Sequence, residues 1–199
     1  DLFGLYEKII LLFIFSAEIL GEVQNFYGIF KNWDTMLHTI NGFLCAAIGF
    51  SMIDILNRSE KFHAKMEPIF VALVAFCFSM TVGVLWEFFE FSMDWFFGLD
   101  MQKDWIVPAI NSVKLNPTGA NIPINVDVQS VVINGETWNL GGYLDIGIVD
   151  TMKDLMVNFV GAVVFSAIGI LYLKHRGKGK LAASLIPQVR DTDAEVSEK

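Results

Sequence analysis

The chain has 199 residues, of which 54% are hydrophobic and 18% are charged, and its mean hydropathy is +0.50. This composition is typical of an integral membrane protein and not of an ordinary soluble domain. The net charge of −8 argues against nucleic acid as a partner, because phosphate binding needs a basic surface.

The two cysteines, Cys45 and Cys77, lie in apolar stretches without a Cys-x-x-Cys spacing. We therefore expect neither a disulfide framework nor a zinc–thiolate site. The chain begins at Asp1 without a methionine, and no cleavable signal follows, so we expect a truncated amino terminus.

Hydropathy predicts an all-α membrane protein with four transmembrane helices in a bundle, since about 20 apolar residues cross a bilayer. The predicted spans cover residues 7–24, 34–56, 68–97 and 147–173. Residues 1–180 would form a single transmembrane domain, with an external loop at 98–146. Residues 181–199 would form a polar cytoplasmic tail.

The distribution of basic residues predicts the orientation of these spans. Arg58, Lys61 and Lys65 lie between spans two and three, and four basic residues lie in the segment Lys174–Lys180. Cytoplasmic loops carry an excess of Lys and Arg, so both segments should face the cytoplasm. We therefore expect a multi-pass protein of the bacterial inner membrane, with both ends of this chain in the cytoplasm.

The external loop contains one strong turn signal, Asn134–Gly135. An alternating, β-branched stretch at Val126–Ile133 precedes it, and Glu136–Leu140 follows it. Asn-Gly between two such stretches predicts a β-hairpin. We expect a small extracytoplasmic hairpin between the third and fourth spans, packed over the outer end of the bundle.

Ionisable residues recur at helical spacing near the predicted outer ends of all four spans. Residues three or four apart share one helix face, and ionisable groups in apolar helices are costly and usually mark a site. We predict a pocket lined by Glu18, Glu22, Asp34, His38, Glu87, Glu90, Asp94, Asp150, Lys153, Asp154 and Asn158.

Clustered carboxylates inside a membrane must be protonated, paired with a cationic side chain, or bound to a cation. Carboxylates with one histidine form a hard-cation or mixed oxygen and nitrogen site, so a divalent cation is one candidate cofactor. Its candidate ligands are His38, Glu87, Glu90 and Asp154. A di-iron centre has weak support because no Glu-x-x-His pair is present. Alternatively, His38 and a carboxylate would act as a general acid and base.

The same residues carry a family resemblance. The stretch Trp33–His38, the pair Glu87 and Glu90, and the stretch Asp150–Ala162 resemble an uncharacterised family of bacterial inner-membrane proteins of the YjdF-like type. They are more distantly similar to VanZ-like proteins, which implies a link to the cell envelope. The Glu-x-x-Glu row differs from the Glu-x-x-Gln of many VanZ-like members, and the hairpin is extra.

From these features we predict an envelope protein with an outward-facing acidic pocket inside the membrane. The pocket would bind, or also act on, a lipid-linked or cell-wall ligand. Two alternatives remain open: a small proton- or cation-coupled transporter, and a structural partner subunit of a membrane complex. The sequence leaves catalysis and oligomeric state open.

Overall fold

A computed structural model of the protein describes residues 2–58 and 66–174. Within these residues, three helices are long and apolar enough to cross a membrane. They are α3 (Trp33–Arg58), α4 (Pro68–Phe97) and α5 (Ile148–Lys174). The predicted polar tail, the basic residues Lys61 and Lys65, and those after Lys174 lie outside the described residues.

The amino-terminal segment is helical but not uniformly α-helical. Helix α1 (Leu2–Ile14) continues as a π-helix, Phe15–Val23, and the short helix α2 (Phe26–Ile29) follows. A π-helix bonds residues five apart, as Gln24 N–H does to the carbonyl oxygen of Ile19 at 2.9 Å. The fourth transmembrane span predicted here stays a prediction.

The described chain forms two compact units: residues up to Trp86 together with those from Asp154 onwards, and Glu87–Lys153. In the first unit, α3 runs parallel to α5, since Gly42 meets Asn158 and Phe50 meets Gly169. It runs antiparallel to α4, since Ser79 hydrogen-bonds to Gly42 and Met66 to Asn57. Its apolar core consists of small and aromatic side chains from all three helices: Ala46, Ala47, Phe50, Val71, Ala75, Ala162, Phe165 and Tyr172. Small residues allow membrane helices to approach closely, which explains their number in this core.

The second unit contains the end of α4, the start of α5 and three two-stranded antiparallel sheets. The strands are β1 (Ile106–Val107), β2 (Ala109–Ser112), β3 (Ile124–Asp127), β4 (Val131–Ile133), β5 (Glu136–Trp138) and β6 (Tyr143–Leu144). Strand β1 pairs with β6, β2 with β3, and β4 with β5. A 3₁₀ turn, Val113–Leu115, follows β2.

The turn at Asn134–Gly135 joins β4 to β5, with Val131 opposite Trp138. Both turn residues have positive φ, +52° and +88°, as a two-residue hairpin turn requires. The prediction of one strand over Val126–Ile133 is wrong, because the chain leaves the sheet after Asp127. Strand β3 pairs instead with β2. No local sequence pattern predicts this pairing, because more than ten residues separate the two strands.

Candidate functional site

Two glycines allow the backbones of α3 and α5 to approach closely. A Cβ atom on Gly161 would overlap the carbonyl oxygen of Thr39, and one on Gly42 would overlap the carbonyl oxygen of Asn158. A larger residue would push the two backbones apart, so these glycines set the distance between the helices. The first turns of α3 therefore lie beside α5 at the level of Asp154.

At this level the structure brings together three of the predicted site residues, Asp34, His38 and Asp154. His38 Nε2 lies 3.4 Å from Asp34 Oδ1 and 3.9 Å from Asp154 Oδ2. His38 and Asp154 are buried, and Asp34 is partly buried. Asp34 and His38 are four residues apart on α3, so one helix face presents both side chains to α5.

The spacing of these three groups suits a metal ion. One ligand atom from each residue lies within 4.8 Å of the others. Two ligands bound tetrahedrally at 2.0–2.2 Å are about 3.4 Å apart, which matches the distance of 3.4 Å from His38 Nε2 to Asp34 and is shorter than the 3.9 Å to Asp154. Two carboxylates and one imidazole form a mixed oxygen and nitrogen donor set, which suits Zn²⁺ or Mn²⁺ better than a soft cation.

Asn158 lies one helical turn beyond Asp154 on α5 and is fully buried. Its Nδ2 donates a weak hydrogen bond to Met80 Sδ at 3.5 Å. It packs directly against Gly83 of α4, where a Cβ atom would collide with the amide. Among the described atoms, Asn158 Oδ1 has no hydrogen-bond partner. The polar cluster therefore continues one turn into the bundle.

Beyond Asn158, in the direction of the carboxyl end of α5, aromatic rings fill the interior of the first unit. Phe165 packs edge-on against Phe43, with ring centroids 5.0 Å apart, and against Phe50 at 5.9 Å. Phe50 and Phe165 have no exposed surface. The cluster around His38 is therefore separated from the far ends of α3 and α5 by a packed apolar layer.

Two other predicted site residues, Asp94 and Asp150, hold the backbone of the loop in the second unit. Asp94 accepts hydrogen bonds from the N–H groups of Met101 at 2.6 Å and Gln102 at 2.8 Å. Asp150 accepts from the N–H of Lys103 at 3.0 Å. Carboxylates that bind backbone donors fix the path of a chain, so these hydrogen bonds hold the loop in place.

Asp145 has the same kind of role at the start of α5. It is buried, and it accepts hydrogen bonds from the N–H groups of Trp105 and Val149, each at 2.7 Å, and of Gly147 at 3.3 Å. Burial alone raises the pKa of this carboxyl, but these donors outweigh burial, and its pKa lies below the ordinary value. Ile146, beside it, has φ of +56°, unusual for a β-branched residue.

The remaining predicted residues differ in their surroundings. Lys153 Nζ lies 5.3 Å from the centre of the Trp105 ring, a cation–π contact within the second unit. Glu87 and Glu90 share one face of α4 in that unit, and both are buried. Glu18 and Glu22 are exposed on the π-helix.

Comparison with known proteins shows the family to which the chain belongs. The profile of a family described as "Predicted membrane protein (DUF2238)" matches residues 2–175. The chain belongs to the DUF2238 family. A relative from Thermotoga maritima, named "Uncharacterized protein", is 31% identical over 81 residues, which are 41% of this chain and 40% of the relative. The match thus covers well under half of that relative's length. No solved structure matches the chain.

Membership of DUF2238 confirms the prediction of a membrane protein with apolar helices. The resemblance to VanZ-like proteins stays a prediction.

Among the buried polar residues that the sequence did not indicate, Asp54, Gln102 and Asp145 have the strongest hydrogen-bonding groups. Asp54 and Gln102 are 7% and 8% exposed, and Asp145 is 6% exposed. Asp54 lies in the second half of α3, where its apolar neighbours should have drawn attention to it. Gln102 donates to Thr151 Oγ1, and no local pattern could reveal that contact.

Proposed function

We propose that this protein of the bacterial cell envelope binds a divalent cation, Zn²⁺ or Mn²⁺, inside the membrane through Asp34, His38 and Asp154. The bound cation in turn holds an envelope-associated ligand. The observation that carries the proposal is the position of His38 Nε2, at 3.4 Å from one carboxylate oxygen and 3.9 Å from the other.

Electrostatics supports a cation at this position. Metal ligands bind in their deprotonated forms, and with both carboxylates ionised and the imidazole neutral these three side chains would carry a charge of −2. A divalent cation would neutralise that charge. The three ligand atoms would in turn take the place of water molecules that the cation loses on entering the site. The three ligands leave further coordination positions, which water or an oxygen atom of a ligand would fill.

The envelope ligand follows from two features of the chain. The site lies in the first turns of α3 and near the start of α5, close to one end of both apolar helices. A cation held there is within reach of a phosphate or carboxylate group of a molecule at the membrane surface. The resemblance of the Asp34–His38 and Asp154–Asn158 spacings to VanZ-like proteins favours an envelope molecule.

A transporter is the second candidate, and Asp54 is the observation in its favour. This carboxyl is buried in the second half of α3, in a region that must otherwise be apolar to cross a membrane. The layer of Phe43, Phe50 and Phe165 argues for a closed site instead, since a conducting path needs a continuous row of polar groups or water. We therefore prefer binding to transport.

The decisive experiment measures cation content after loading the purified protein with Zn²⁺ or Mn²⁺ and removing excess ion. We expect about one ion per chain in the parent and at least a tenfold reduction in Asp154→Asn, which keeps the shape of the side chain. Asp54→Asn is the matched control, because it also neutralises a buried aspartate, and it should keep the ion.

The ion should also raise the melting temperature of the parent but not of Asp154→Asn, because only a folded site binds it. The proposal would be wrong if the loaded parent held no ion, or if Asp154→Asn bound it as well as the parent. Ion flux into liposomes that is lost in Asp54→Asn would favour the transporter.

A further inference from the structure

An apolar groove runs along the surface of the first unit between α4 and α5. Its volume is about 400 Å³. The groove is lined by Ile69, Ala72, Leu73 and Phe76 of α4 and by Phe159, Val163, Ser166, Ala167 and Ile170 of α5. The small side chains of Ala72 and Ala167 leave space where larger residues would fill the gap between the helices.

The dimensions of the groove fit one extended hydrocarbon chain. From Phe159 to Ile170, at a rise of about 1.5 Å per residue, the groove is about 16 Å long. Its volume of about 400 Å³ over that length suits one narrow, flexible chain.

The two ends of the groove differ. At one end Phe76 and Phe159 meet edge-on, with ring centroids 5.4 Å apart and planes at 90°, and these rings close it. At the other end lie Ile69 and Ile170. Lys174, one turn beyond Ile170 on the same helix face, is exposed and ends α5. The groove is thus bounded by two aromatic rings at one end, and at the other end Lys174 lies one turn beyond the last lining residue of α5.

The length of the groove matches one leaflet of a membrane. The hydrocarbon core of a bilayer is about 30 Å thick, so one leaflet contributes about 15 Å. The groove covers about the same distance, measured from the ring pair towards the charged end of α5. The sequence adds Arg176, Lys178 and Lys180 after Lys174, and such a basic segment attracts anionic lipid headgroups.

We propose that the groove between α4 and α5 binds one acyl chain of an anionic phospholipid, with its methyl end against Phe76 and Phe159 and its headgroup at Lys174. Lys174 selects an anionic headgroup. Close packing retains the acyl chain, because the hydrophobic effect alone does not favour the groove over the surrounding lipid. This proposal is independent of the cation site.

The test counts phospholipids that stay bound to the full chain in native mass spectrometry, after exchange into detergent with added phosphatidylglycerol or phosphatidylcholine. We expect the parent to retain one phosphatidylglycerol and at least fivefold less phosphatidylcholine. Ala167→Phe, which fills the groove, should lose the lipid at least tenfold. Val164→Phe is the matched control, because Val164 is exposed on α5 outside the groove, and it should retain the lipid.

Two further variants separate a lipid from a partner helix. Lys174→Gln should abolish the preference for phosphatidylglycerol. Ser166→Ala should leave lipid binding unchanged, because an acyl chain has no acceptor for the buried hydroxyl, which has no partner among the described atoms. The proposal is overturned if the parent retains no lipid, or if Ala167→Phe and Val164→Phe behave alike. It is also overturned if the parent protein is a dimer and Ser166→Ala converts it to a monomer.

Discussion

The two units of this protein contain the same type of side chain in different surroundings. In the first unit, Asp34 and Asp154 lie on two helices and gather around the imidazole of His38. In the second unit, Asp94, Asp145 and Asp150 accept hydrogen bonds from backbone N–H groups of the loop and of α5.

This difference shows that an acidic row in an apolar helix is only a weak sign of a site. A carboxylate that binds backbone donors is already stabilised and serves the fold. Carboxylates that converge on an imidazole present oxygen and nitrogen donor atoms to one point, so their geometry suits a cation. The partner of the carboxylate therefore distinguishes the two roles, and the four predictions below test that distinction.

The largest effect should follow from Gly161→Val, which tests whether the first unit depends on the close approach of α3 and α5. The new side chain would collide with backbone atoms of Thr39 and Phe43. We expect a loss of about 3 kcal/mol or more in the free energy of unfolding and loss of cation binding. Val160→Leu on the exposed side of α5 should change stability by less than about 0.5 kcal/mol. Thermal denaturation in detergent measures both.

Asp145→Asn should have the next largest effect, on the second unit. It removes the charge that accepts three backbone hydrogen bonds, so we expect a loss of about 1–3 kcal/mol. Hydrogen exchange should become faster at the amides of Trp105 and Val149, while the content of bound cation stays that of the parent. A loss of the cation without faster exchange would contradict the structural role of Asp145.

The pH dependence of the second unit gives a related test. The pKa of Asp145 is lowered below its ordinary value of 3.8 in the folded protein, so folding favours the deprotonated form. Its contribution to stability is complete above the ordinary pKa and is lost as the pH falls from there through the folded pKa. Amide exchange of Trp105, corrected for its intrinsic pH dependence, should show this loss in the parent and lack it in Asp145→Asn.

The smallest effect should come from Asp104→Asn. Partial loss of hydration, together with the nearby carboxylates of Asp100, Asp145 and Asp94, raises the pKa of the largely exposed Asp104, so its charge is unfavourable in the folded protein. Removing it should stabilise the protein at pH 7 by about 0.2–0.5 kcal/mol at low salt, and less at high salt, because an exposed group is screened. Asp127→Asn, an exposed aspartate of β3, is the control. Destabilisation by Asp104→Asn would show that this carboxylate also holds the loop.

Several features could be predicted from the sequence because they depend on residues close together in the chain. Apolar runs gave the three long helices, and an Asn-Gly pair gave the turn between β4 and β5. The spacing of Asp34 and His38 placed both on one face of α3. The wrong strand over Val126–Ile133 came from the same local reasoning, because alternation cannot reveal that β3 pairs with β2.

By itself, the sequence determined that this is a membrane protein with acidic residues on the faces of its apolar helices, since hydropathy and helical periodicity are local properties. Only the tertiary structure decided which of those acids meet His38 and which bind the backbone. It also revealed the burial of Asp54 and the groove between α4 and α5. These features arise from contacts between residues far apart in the chain, and no short-range pattern encodes them.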